Sequence, residues 1–214
     1  MTIKIDKALM KEAESFYDPE LAYHNFSHIH YVFAAADQII KRCKRNNVDV
    51  DETVVYLALL FHDAGFAEDH SALGFDSKEA YSAHLSGEIL KQHGYDTNTI
   101  DQVKQAILST HCDVRCRTNE DRVVKAADLS GLADTYQVFL DNAMKLKLEY
   151  EHFNGGEISW QDWKDTAIAR LQLFLEDNME LTDEEFDESG DSLFQQAVRK
   201  NVEQFQDEPE NQHH

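Results

Sequence analysis

Apolar residues recur every three or four positions along almost the whole chain, the period of amphipathic helices. Residues 4–16 make a short helix of this kind, broken at Asp18-Pro19. Ser27 reads as an N-cap, and the helix after it carries Val32, Ala35, Ala36, Ile39 and Ile40 on one face as far as Asn46-Asn47. The next begins at Asp51 or Thr53 with "VVYLALLFHDAG" and stops at Gly65. That segment has no polar face, which predicts a central, buried helix.

Residues 66–76 read as a loop, and 77–93 as a helix with Ala80, Ala83, Gly87 and Leu90 on a narrow face. Further helices are expected at about 98–111 and through "EDRVVKAADLSGLAD", joined by 112–118, then at roughly 133–152 and 159–178 around a Gly155-Gly156 turn. The acidic stretch 180–190 reads as solvated surface, and a last helix is expected over 191–206. No repeat or linker interrupts the pattern. The expectation is one all-α domain of eight to nine helices.

Composition changes this picture little. Only 2 prolines and 8 glycines occur in 214 residues, which suits helices with short connections. A formal charge of −21 argues against binding a nucleic-acid backbone, although a bound cation could reverse the potential for a small anion. The odd set Cys43, Cys112 and Cys116 does not suggest a disulfide framework. With no signal-like or membrane-length apolar run, the expectation is a soluble cytoplasmic protein that does not engage membranes. His213 and His214 are left out of the reading because they resemble a tag remnant as much as native sequence.

Candidate chemistry lies where ionisable groups interrupt apolar helix. His62-Asp63 ends the most apolar segment, where an unpaired carboxylate costs several kcal/mol unless a cation or hydrogen bonds compensate. Asp128 sits between Ala127 and Leu129 in a second apolar stretch. His28 shares a face with Val32 and Ala36 and so points inward, while His30 points away toward solvent. Two imidazoles and two carboxylates suit a first-row divalent ion with open positions for water. "HCDVRC" has one C-x3-C and no second pair, so it is not read as a zinc site. Arg115 and Arg117 in that connection are candidate phosphate contacts by charge.

Five motifs in order, "YHNFSH", "LALLFHDA", "EAYSA", "ILSTH" and "ADLSGL", resemble the HD superfamily of metal-dependent phosphohydrolases, from about Tyr23 to Leu175. Within it the chain looks most like a group of uncharacterised predicted phosphohydrolases. "YHNFSH" is also similar to a motif of class I cyclic-nucleotide phosphodiesterases, whose remaining pattern is absent. The resemblance implies an HD-like helical bundle over 1–214, with a motif-bearing core at about 23–175 and a helical extension at 176–206.

It further implies that His28, His62, Asp63 and Asp128 ligate one divalent ion, of Mn, Fe, Ni, Co, Zn or Mg. His24 and Asp63 would be catalytic, with His24 protonating the leaving alkoxide; the other reading of His24 is a surface histidine near a helix start. Many two-metal relatives carry histidine where this chain has Lys78, before Glu79. His84 and His111 are therefore the candidate second-metal ligands, and Lys78, Glu79, His111 and Arg115 the candidate substrate contacts. Glu149, Tyr150 and Arg170 are read as packing or helix-pairing residues. The implied activity is hydrolysis of a phosphate ester of a nucleotide or small phosphorylated metabolite by metal-activated water. The alternatives are a di-iron oxygenase of the same fold and a non-catalytic metal-binding regulatory module. Sequence gives no oligomeric state.

Overall fold

The computed structural model describes residues 5–175 and 177–210. Among these residues there are nine α-helices and no strand: α1 Lys7–Glu14, α2 Phe26–Arg45, α3 Glu52–Phe61, α4 Lys78–Gln92, α5 Thr97–Leu108, α6 Asn119–Asp128, α7 Tyr136–Asn154, α8 Trp160–Phe174 and α9 Leu193–Asp207. Residue 4, the expected start of the first helix, and the terminal His213 and His214 lie outside the described residues.

The centre is α3. Every residue from Val54 to Phe61 is buried, as its lack of a polar face requires. Asp51 caps it, accepting from the amides of Thr53 and Val54. Helices α1, α2, α4, α5 and α6 pack around it. Ile29, Val32, Ala36, Ile39 and Ile40 of α2 join Val103 and Ile107 of α5 and Val123, Val124 and Ala127 of α6 in one aliphatic core. A second, aromatic core lies under α7–α9, with Phe139, Trp160, Trp163 and Phe205 at its middle.

Three local expectations are corrected. Helix α2 is capped by Asn25, whose Oδ1 accepts from the Ser27 amide, so Ser27 is already inside the helix and His24 outside it. An Asn carboxamide reaches the same orphan amides as a Ser hydroxyl, and the one earlier in the chain wins. The helix expected from 133 starts at Tyr136, because the chain leaves Asp128 through a 3₁₀ turn at Leu129–Leu132. The acidic stretch is not simply solvated: Glu184 and Glu185, in a second 3₁₀ turn, pair with Arg45 and Arg42 of α2.

Candidate metal centre and proton donor

Four side chains from three helices meet at one end of α3. His28 comes from the first turn of α2, His62 and Asp63 directly follow α3, and Asp128 is the last residue of α6. One ligand-type atom from each lies within 4.8 Å of all the others. His62, Asp63 and His28 are buried, while the Asp128 side chain is 19% exposed and marks the side open to solvent.

His62 is held by its own helix. Its Nδ1–H donates to the carbonyl of Leu59 at 2.9 Å, which leaves the Nε2 lone pair facing the cluster. Nε2 is 3.0 Å from Asp63 Oδ2 and 3.2 Å from Asp128 Oδ1, yet it is buried without an aligned hydrogen-bond partner. His28 Nε2 is 3.2 Å from Asp128 Oδ1 and 3.9 Å from Asp63 Oδ2.

Burial alone would lower the pKa of His62, but Asp63 and Asp128 override it and push the imidazole well up. Burial likewise lifts Asp63, and His62 and Lys78 more than reverse it. Two carboxylates, Asp63 and Asp128, crowd a buried Nε2 that finds no aligned partner, and the cluster calls for a cation there, either a proton on His62 or a metal ion in its place. Two imidazole nitrogens and two carboxylate oxygens fit a divalent first-row ion.

His24 stands beside this cluster, its ring centroid 6.3 Å from that of His28. It does not depend on helix geometry for its position. Glu149 of α7 accepts the Tyr23 and His24 amides on Oε1 at 2.6 and 2.8 Å, and the His24 Nδ1–H on Oε2 at 2.5 Å. Glu149 is 4% exposed; burial raises its carboxyl, but the bond from His24 brings it below the ordinary range. An ionised Glu149 fixes the proton on Nδ1 and leaves Nε2 as the working nitrogen. Burial dominates His24 itself and lowers its pKa, although Asp63 and Glu149 oppose the shift. The other face of the arrangement is Phe66, stacked on His24 at 3.6 Å between centroids.

The remaining candidates divide. Lys78 Nζ is 3.2 Å from Asp63 Oδ1 and 3.7 Å from the buried carboxylate of Glu79, so both stand against the cluster. His84 is exposed and rests on Phe75, at 5.1 Å between centroids. His111 lies past the end of α5, its Nδ1 accepting the Asp113 amide, and groups with Cys112 and Asp113 rather than with the four. Arg115 and Arg117 are exposed, and so is His30. Sequence reasoning gave Glu149 a packing or helix-pairing role and passed over Phe66. One signal was available: Leu146, Glu149 and Phe153 fall on one stripe of α7, which places a carboxylate among apolar residues.

The fold and the cluster together define an all-α protein built around a buried histidine–aspartate site. The HD domain family model matches residues 25–130, from the cap of α2 to the 3₁₀ turn after α6, and the chain carries an HD domain over that span. No curated protein and no solved structure matches the chain. Among the described residues no helix is long and apolar enough to cross a membrane, and Cys43, Cys112 and Cys116 are free thiols.

Proposed function

We propose that this chain hydrolyses a phosphate ester of a nucleotide or other small phosphorylated metabolite, using one divalent ion held by His28, His62, Asp63 and Asp128. The observation that carries the reading is the buried His62 Nε2, without an aligned partner between the carboxylates of Asp63 and Asp128, with His24 fixed alongside. A bound divalent ion supplies Lewis acidity toward the phosphoryl group and lowers the pKa of water.

The chain's own residues do the rest. Lys78 meets a phosphate oxygen, and Glu79 and Asp63 hold its ammonium in place. Water gives up a proton to solvent and its oxygen bonds phosphorus as the bond to the leaving oxygen breaks, while His24, as the imidazolium, passes its Nε2 proton to that leaving oxygen. Glu149 keeps Nδ1 protonated and bonded throughout, so His24 starts the step as an oriented imidazolium and ends it as the neutral Nδ1–H imidazole. His111 and Arg115, on the connection after α5, are given no step. Substrate charge is limited by the protein's own −21, which favours small anions over polyanions.

Elemental analysis of the purified protein, with a phosphoester panel supplemented with manganese, nickel, cobalt or iron, tests this directly. About one ion per chain is expected, lost together with activity in Asp63→Ala. His24→Ala should keep the ion and lose about 10²–10⁴-fold in turnover. Full metal retention by Asp63→Ala, or silence of the wild type on every ester and ion, overturns the proposal. Two irons per chain would redirect it to oxygen chemistry.

A further inference from the structure

Phe66 is placed with unusual firmness for a loop residue. Its amide donates to the carbonyl of Asp63 at 3.0 Å, and the neighbouring Gly65 amide donates to Ser82 Oγ at 3.3 Å. A Cβ on Gly65 would stand 2.2 Å from the Tyr81 ring, so only glycine lets this turn lie so close to α4. The half-buried ring of Phe66 therefore has a fixed origin beside Asp63.

That ring touches both His24 and Lys78. It lies nearly parallel to the His24 imidazole, at 15° and 3.6 Å between centroids. The Lys78 ammonium is 4.5 Å from the same centroid, and the edge of Phe153 closes a further side at 5.7 Å. Stacking restricts rotation of the imidazole about its Cβ–Cγ bond, which the Glu149 bond alone would leave freer to tilt. A lysine stem has four rotatable carbons, and the ring face confines its ammonium on the side that Asp63 does not.

We propose that Phe66 is a positioning residue that sets His24 and Lys78 together, so that one side chain governs both proton delivery and phosphate capture. The inference rests on the roles given above to His24 and Lys78. It predicts a compound phenotype that neither group shows alone.

The test compares p-nitrophenyl phosphate, whose leaving group needs little protonation, with phenyl phosphate, whose leaving group needs more, in the metal-loaded protein. His24→Ala should lower kcat mainly on phenyl phosphate, and Lys78→Met should raise KM on both esters. Phe66→Leu should do both at once, raising KM about tenfold on each ester and lowering kcat about tenfold on phenyl phosphate alone. Phe66→Tyr, which keeps the ring, should stay near wild type. An equal fall of kcat on both esters with unchanged KM, or wild-type kinetics in Phe66→Leu, overturns the inference.

If His24→Ala shows no leaving-group dependence, the role of His24 fails first. The positioning claim is then decided on the metal-free protein by imidazole ¹⁵N NMR. Wild type should show His24 as the Nδ1–H tautomer with a slowly exchanging proton. Phe66→Leu should give mixed tautomers and faster exchange, and an unchanged spectrum refutes the positioning role.

Discussion

The two cores of this protein are built differently and serve the site differently. Beneath α1–α6 the packing is aliphatic and wraps a helix that has no outer face. Beneath α7–α9 it is aromatic and smaller, with Phe139 and Trp160 packed edge to face on Phe205 and Trp163 in the same cluster. The first core supplies all four residues of the candidate metal centre. The second supplies Glu149, which holds His24, the proposed proton donor, and Phe153, which meets the Phe66 ring stacked on it. Rigidity of the four candidate ligands and orientation of His24 thus come from separate sets of contacts. The layers are joined by polar links: Lys125 to Asp177, Arg42 to Glu185, and Asn201 to the carbonyls of Leu132 and Asp134.

The largest effects should come from the cores themselves. Phe61→Ala and Phe205→Ala, both at fully buried sites, should each cost about 3–5 kcal/mol in denaturant unfolding. Both tryptophans lie in the second core, so fluorescence follows it while circular dichroism follows all the helices. The two probes should give coincident transitions in the wild type. Separate midpoints would divide the chain into two folding units and break the picture of one domain.

Next in size is the link through Asp177. Lys125 is fully buried, and its ammonium bonds Asp177 at 2.8 Å and the carbonyls of Val114 and His111 at 2.9 and 3.3 Å. Asp177→Asn leaves that charge without its counter-ion and should cost about 3 kcal/mol. Burial raises the Asp177 carboxyl, but the Lys125 bond more than offsets this and holds it below its ordinary value. A folded-state pKa below the unfolded one gives stability that is complete above about pH 4 and fades as pH falls through the folded value. The acid limb of the wild-type stability curve should therefore be steeper than that of Asp177→Asn. Equal slopes would show that the pair titrates as it does in the unfolded chain.

Metal linkage should separate the layers cleanly. Manganese at about 100 times its Kd stabilises by about 2.7 kcal/mol, a rise of about 5–10 °C in Tm for a chain of this size. Asp63→Ala should show no rise. Glu149→Gln should keep the whole of it, since Glu149 touches His24 and not the cluster. Loss of the shift in Glu149→Gln would mean that the second layer also shapes the ion site.

Smallest of all should be Arg45→Ala. Its pair with Glu184 is 61% and 45% exposed at the two side chains, which predicts a change below about 0.5 kcal/mol in the same assay. A larger loss would give the acidic stretch a structural weight that its exposure does not suggest.

Much of this arrangement was legible before any coordinates. A helix apolar on every side had to be central, and ionisable groups at its end and at Asp128 had to face one another or remain uncompensated. His28 followed from its spacing to Val32 and Ala36. The His24 arrangement was not legible, for two physical reasons. Its register hung on which polar side chain caps α2, and Asn25 and Ser27 are near-equal caps. Its partner Glu149 lies 125 residues away, and a glutamate on a helix reads as a packing or helix-pairing residue until the facing surface is known. Equally, nothing in spacing alone could say that His84 points outward against Phe75 while Lys78, six residues earlier, points at Asp63.

The Asn25 cap has a consequence for how such a protein can diverge. It ends α2 one residue after His24, leaving the histidine on a short tether whose position is dictated by α7. Under the proposed roles, drift in the outer helices would retune or silence proton transfer while the four candidate ligands stay intact. A protein of this construction would then pass between hydrolase and metal-responsive binding protein through changes far from those ligands.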